Sequence, residues 1–394
     1  MSRLSQAEID DIRARNLIEH VAEQYVRLRR AAGRLVGPCP MCGGRATSQR
    51  FEVFANEDSW ACAVCHDGGD VIRLVEKVEG LDFRAAIERL GGAAQIDPDQ
   101  ARRLFEAREK KRLAREKQTE AYREKERMRL WKVWQKAEPI HGTLAARYLE
   151  GRGLRLPDYC TGLRYLPSWA YFHGETIDER GRKSPRAIHT GPAMLAVFIR
   201  PDGHFGGLHF TYLSGDDPPR KLELPDPDTG EILNPKKMRG SKTGANIAVT
   251  LVDAPARLVI GEGIETVLSV FTAFVDAGRP IEDVAFWAAG DLGNMAGRAV
   301  RSLAHPTAKR PNGQPQRVPG PVPDPDDPGL AIPDSVAELI LLGDGDSDPV
   351  LTQFAMTRAA RRYAHDGRTI RIAFAPAGQD FNDVLQTADE AAAG

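Results

Sequence analysis

The chain has little of what would carry it into or across a membrane. None of its apolar runs approaches the ~18 residues that a spanning helix needs. The longest patches, such as Leu195 to Ile199 and Leu339 to Leu342, are short. The opening segment MSRLSQAEIDDIRARN is polar and mixed in sign, unlike a secretory signal. Charge of one sign is also missing: the 394 residues sum to −1, so nothing global argues for a polyanionic partner, and any such case must rest on where the charges lie. There is no G-x-x-x-x-G-K-[ST] string. The nearest, GSKTG at 240–244, lacks the spacing, which excludes a P-loop motor. With five cysteines and 27 prolines the chain is neither a disulfide scaffold nor low-complexity. These absences leave a soluble, cytoplasmic chain with no membrane partner, of a length that suits two or three domains.

Four of the five cysteines form two pairs, Cys39 with Cys42 and Cys62 with Cys65, in the spacing C-x2-C-x19-C-x2-C. That is the pattern of a tetrathiolate zinc site, in which each two-residue gap lets one turn present two sulfurs to a tetrahedral ion. Gly43, Gly44, Gly68 and Gly69 give the turns backbone freedom. Four protein ligands leave no open position, so the zinc is expected to be structural. His66 follows Cys65 and offers an alternative ligand, more simply read as a bystander; Cys160 reads as an ordinary half-buried thiol. Arg45, Arg50, Phe51, Phe54 and Trp60 mix basic and aromatic groups on the ribbon. They suit a single nucleic-acid strand or, equally, a small core.

Around this module, residues 1–30 read as one helix on the spacing of Ile9, Ile12, Leu17, Ile18, Val21 and Tyr25, and 70–90 as another. RFEVF and SWAC read as two strands joined by a polar turn. Residues 101–136 hold fourteen Lys or Arg against six Glu, a net of +8, and read as a long solvated linker helix. Residues 140–250 read as α+β, with a hairpin at AMLAVFIRPDGHFGGLHFTYL and a loop from Ser214 to Gly244. From 256 onwards short apolar strands alternate with helices, which predicts a mostly parallel sheet covered on both faces. The Pro-, Gly- and Asp-rich stretch 306–334 interrupts it as a mostly irregular surface insertion.

The sharpest chemical signal lies at the ends of those strands. Gly261-Glu262-Gly263 follows the strand ending at Ile260, and Asp344-Gly345-Asp346 follows the one ending at Leu342. Function in open parallel sheets gathers at the carboxyl ends of strands. Clustered carboxylates are costly unless a cation neutralises them, and magnesium prefers oxygen ligands together with substrate phosphates. Glu262, Asp344 and Asp346 are therefore the candidate magnesium ligands and catalytic groups, with Asp348 as a further ligand and manganese as a substitute ion. Glu265, Asp380 and Asp383 are secondary acidic candidates.

Two separated motif sets resemble one family. The helix IDDIRARNLIEHVAEQYVRLRR, then GPCPMC, then CAVCHDGGDVIRLVEKVEG resembles the zinc-binding domain of DnaG-type bacterial primases, with Cys42 where that family commonly has histidine. The C-terminal part looks like a Toprim domain on Glu262, Asp344 and Asp346; the family's third aspartate is only loosely matched by Asp348. YLEGRGL and GQDFND further resemble primases carried by phages, plasmids and integrated elements. The resemblance implies a multidomain α/β chain. Residues 1–95 would be an N-terminal helix and zinc ribbon, 96–138 a charged helical linker, 139–250 an α+β part of the primase core, and 251–394 a Toprim domain. It implies a DNA primase: magnesium-dependent, template-directed synthesis of short RNA primers on single-stranded DNA from nucleoside triphosphates, beside a helicase supplied by a separate protein. Arg220, Lys221, Lys236, Lys237, Arg239 and Lys242 would hold template backbone or nucleotide. The rival readings are a Toprim-type nuclease and a non-catalytic zinc-ribbon accessory protein.

Overall fold

The computed structural model describes residues 6–31, 34–45, 48–55, 57–65, 67–91, 98–177, 179, 181–310 and 313–393. They form two compact units, Met1–Tyr122 and Arg123–Gly394. Among the described residues no helix is long and apolar enough to cross a membrane.

The expected single helix over 1–30 is two, Gln6–Arg15 and Ile18–Tyr25, followed by a strand, Arg29–Ala31. The break falls at buried Asn16, whose side-chain amide donates to the Ile12 carbonyl at 2.8 Å and to that of Leu90 at 3.3 Å. An antiparallel five-stranded sheet follows, with Phe51–Phe54 and Ser59–Cys62 at its centre. The helix read over 70–90 is also two. Asp70 caps Val71–Glu79 by accepting from the Arg73 amide, and left-handed Gly80 (φ 66°) ends it before Phe83–Gly91. Phe51, Val53, Trp60, Ile72 and Leu74 fill the small core. Next comes the helix Pro98–Lys136, as the charge pattern predicts; Leu130 and Trp134 near its end are buried.

The second unit has two five-stranded sheets. In the antiparallel one, the long hairpin Leu163–Ile177 with Lys183–Ile199 continues into Phe205–Tyr212. The stretch read as a loop supplies the next strand, Lys236–Gly240, paired with Phe205–Tyr212. Its lysines and arginine hid it, because a polar edge strand carries no apolar alternation. The second sheet runs Ile247–Ala248, Val284–Ala288, Arg257–Gly261, Glu338–Gly343, Thr369–Phe374, and all but the first strand are parallel. Alternation sends Val259 to one face, against Val267, Leu268 and Phe271 of helix Ile264–Asp276. Leu258 and Ile260 go to the other, against Met356 and Ala359 of helix Pro349–Tyr363. Burial on both faces is why these strands are apolar throughout.

The insertion is more ordered than expected. Ser302–Lys309 and Pro315–Pro319 form an antiparallel hairpin, and Val318, Leu330 and Val336 are buried. Arg358, 3% exposed, donates to the carbonyl of Gly320 at 2.7 Å and, before the segment, to that of Gly297 at 2.9 Å; Arg361 and Arg362 of the same helix take the carbonyls of Pro321 and Asp324. Backbone carbonyls satisfied by arginines of a distant helix leave no periodicity in the sequence.

Candidate functional site

Two sites emerge, one in each unit. In the first, the cysteine sulfurs all lie within 4.8 Å of one another, with Cys39 to Cys65 at 3.6 Å and Cys42 to Cys62 at 3.8 Å. A tetrahedron with Zn–S bonds of about 2.3 Å has edges of roughly 3.8 Å, so the four sulfurs fit zinc. The Met41 amide donates to Cys39 Sγ and the Cys65 amide to Cys62 Sγ, bonds that favour thiolates. Burial pushes the Cys39 thiol up to about 11 and raises that of Cys65 as well. Four thiols this close ionise together only around a dication. Phe51 and Trp60 are 0% and 2% exposed, and the Trp60 indole donates to the Asp70 carbonyl at 3.1 Å. These two rings are core, not a stacking platform, while Arg50 turns to Ser48 and Cys42. Cys160 is buried in the second unit, and His66 lies outside the described residues.

The second site is a rim of carboxylates at the carboxyl ends of the parallel sheet. Arg257–Gly261 and Glu338–Gly343 are adjacent and in register, Ile260 opposite Leu341, so Glu262 and Asp344 leave neighbouring strands at neighbouring levels. Burial is the first reason the Glu262 carboxyl is pushed up to about 7; Asp344, Asp291 and Asp346 add to it, and Lys236 opposes. Asp344 is pushed up to about 6, again first by burial, with Asp380 and Asp346 adding. The Thr266 hydroxyl, 3.1 Å away, and the Phe381 amide oppose that rise. Glu262, Asp344 and Asp346 thus share one field, to which Asp291 and Asp380 contribute.

Asp291 is the residue sequence reasoning missed. It caps the short helix Leu292–Ala296 through the Asn294 amide and pairs with Lys242. The signal was there, since DVAFWAAG is a strand that also ends in Gly-Asp.

Gly345, between the two aspartates, is dictated by packing. A Cβ there would lie 2.1 Å from the Pro376 carbonyl oxygen, and its amide donates to Gln379 O at 2.9 Å. This close approach sets the acidic turn against the segment that carries Asp380. Asp380 and Asp383 accept from each other's backbone amides at the start of helix Phe381–Ala393. Asp348 caps helix Pro349–Tyr363 through the amides of Val350 and Leu351 and faces His305 Nε2 at 3.1 Å. Glu265 is not on the rim: it is 5% exposed and held by Lys221, Lys236 and Tyr148.

The six basic candidates divide by the pleat. Lys236 and Met238 share one face of their strand: Lys236 reaches Glu265, and Met238 lies near Gly290, just past the end of strand Val284–Ala288 of the other sheet. Lys237 and Arg239 take the other, Lys237 over the Tyr171 ring at 4.7 Å and Arg239 on Glu126 at 2.5 Å. Lys221 and Lys242 join the Lys236 side through Glu265 and Asp291, whereas Arg220 is exposed near Asp216.

What the fold and these sites define is a class: a thiolate zinc ribbon followed by an α/β unit that gathers carboxylates at its strand ends. Residues 4–104 match the family model of the CHC2 zinc finger, and residues 124–249 match that of a domain of unknown function (DUF7146). The DNA primase of Streptomyces coelicolor is 35% identical over 95 residues, which are 24% of this chain and 14% of that protein. That of Mycobacterium leprae is 38% identical over 91 residues, 23% and 14% of the two chains. The chain thus matches about a seventh of the length of these curated relatives. Among solved structures, the Aquifex aeolicus primase (zinc-binding and RNA polymerase domains) aligns at a TM-score of 0.33 and 14% identity, covering 100% of this chain and 84% of that one. The N-terminal unit carries a zinc ribbon of the DnaG primase type, with cysteine as its second ligand.

Proposed function

We propose that the protein is a DNA primase that joins nucleoside triphosphates on a single-stranded DNA template, with magnesium at the rim of Glu262, Asp344 and Asp346. The observation that carries this reading is the presence, in one chain, of a DnaG-type ribbon and a group of strand-end carboxylates in which Asp344 and Asp346 add to the raised proton affinity of Glu262, and Asp346 to that of Asp344. The donors are of the chemistry a hard dication takes, oxygen ligands that raise one another's field, although they do not converge as the four sulfurs do. When bound, the metal would polarise the reacting phosphate and stabilise the leaving pyrophosphate.

The chain's own groups have separable tasks. Thr266 hydrogen-bonds Asp344 and opposes the rise that burial causes there. Lys236 opposes the rise of Glu262 through its field, and in both cases burial still wins. Asp348 is tied up as helix cap and His305 partner, so its part is to hold the acidic turn rather than to serve as a principal ligand. Lys221, Lys236 and Lys242 border the rim and suit the phosphates of nucleotide or template. Residues 1–95 would serve as the start-site module, 96–138 as a linker, and 139–250 with 251–394 as the polymerising core. A helicase would be a separate protein.

The test is template-dependent synthesis of labelled primers on single-stranded DNA, with ribonucleotides or deoxyribonucleotides and magnesium. Asp344→Asn should abolish synthesis and leave DNA binding largely intact. Undiminished synthesis by that variant overturns the catalytic assignment, and cleavage of the strand without nucleotides would indicate a nuclease instead.

A further inference from the structure

Glu265 lies one helical turn from the rim and takes no part in it. Among the described residues it is the most enclosed carboxylate of the second unit, at 5% exposure. Three donors from separate parts of the chain converge on its two oxygens: Tyr148 Oη at 3.0 Å from helix Leu144–Glu150, Lys221 Nζ at 3.1 Å from the loop before Leu224, and Lys236 Nζ at 3.1 Å from the edge strand. Two ammonium groups therefore share one carboxylate, and each lysine side chain remains 32% exposed. The strand beneath supplies His209, 5% exposed, and Thr211, fully buried; His209 Nδ1 and Thr211 Oγ1 have no hydrogen-bond partner. Arg152 Nε nearby also lacks one. The group carries an excess of positive charge and unspent polar atoms beside a rim of excess negative charge. A structural ion pair needs one cation per carboxylate. Two cations with open faces suit an anion that is not part of the chain.

We propose that Glu265 is a positioning residue, which with Tyr148 holds the Lys221 and Lys236 ammonium groups at the edge of the carboxylate rim to receive the polyphosphate of a nucleotide. The inference rests on the functional reading above and adds to it the group that organises the cations. Burial favours the neutral form of Lys221, and Glu265 opposes it. Lys236 reaches both Glu265 and the field of Glu262, so it links the two clusters. The charged or titratable groups facing Glu265 are Tyr148, Lys221, Lys236 and His209, with Arg152, Asp380 and Glu262 next outward. Burial lowers His209 to about 4, so it is neutral and contributes no competing cation near neutral pH.

The test is calorimetric titration of the full-length, zinc-loaded protein with ATP and magnesium at pH 7.5 and pH 9, a range in which the phosphates keep their charge. Wild-type affinity should change less than about twofold between the two. Glu265→Gln should weaken binding about fivefold at pH 7.5 and about tenfold more at pH 9, because a lysine stripped of its carboxylate loses its proton earlier. In a Lys221→Gln/Lys236→Gln background the same change should have no effect. A Glu265→Gln protein that binds as wild type, or loses affinity equally at both pH values, overturns the proposal. If Asp344→Asn meanwhile weakens binding, the primase reading survives that failure. Wild-type protein that binds no ATP overturns both. Should Glu265→Gln fail to fold by circular dichroism, Tyr148→Phe decides: about threefold weaker binding supports the proposal, and unchanged affinity refutes it.

Discussion

Neutralising a carboxylate at the rim should stabilise the protein when magnesium is absent. Glu262 is raised from 4.5 to about 7 and Asp344 from 3.8 to about 6, both first by burial. Between those values the folded chain binds more protons than the unfolded one, so stability is highest at the acid end and falls as pH rises through the folded values. At 1.36 kcal/mol per unit each group is worth about 3 kcal/mol at full value, and about half that once the exposed third is screened by solvent. Asp344→Asn removes its own penalty and relieves that on Glu262. The variant should therefore be about 1.5–3 kcal/mol more stable than wild type at pH 8, a gap that closes by pH 4. The measurement is urea unfolding of the second unit at pH 4 to 8, with zinc retained and magnesium omitted. Magnesium at millimolar concentration should reverse the order, because it binds the folded wild type and not the variant. A variant no more stable at pH 8, or a gap that magnesium leaves unchanged, would refute the claim that the rim is an electrostatically strained cation site.

Other changes test the supports of both sites. Removing zinc with a chelator should unfold the first unit, since thiolate–zinc bonding of this kind contributes about 10–16 kcal/mol. Released metal should total one ion per chain, and a chelated protein with unchanged amide exchange in Phe51–Cys62 would contradict this. Gly345→Ala forces a Cβ onto the Pro376 carbonyl, so it should cost about 3 kcal/mol or more by urea unfolding and weaken magnesium binding along with it. A variant with wild-type stability would mean the close approach is not needed. Arg358→Ala leaves buried carbonyls unpaired, costs roughly 2–3 kcal/mol, and should speed proteolysis within residues 302–319. Cleavage at the wild-type rate would show that another group anchors the insertion.

The amino-acid sequence by itself determined the ribbon and the parallel sheet. Cysteine spacing is a local property, legible because each C-x2-C turn is built from adjacent residues. The strands at 257–261, 284–288 and 338–343 are legible because burial on both faces leaves an unbroken apolar run, and the same rule puts Glu262 and Asp344 at strand ends. Only the tertiary structure decided which charged groups work together. Glu265 stands three residues from Glu262 yet sits under two lysines, because the helix turns it away from the rim and against the antiparallel sheet. Asp291 joins the rim across a parallel neighbour, and Lys236 parts from Lys237 through the pleat of a strand that looked like a loop. Charge partners are chosen by distance in space. Composition and spacing hold that information only where the partners are also neighbours in the chain.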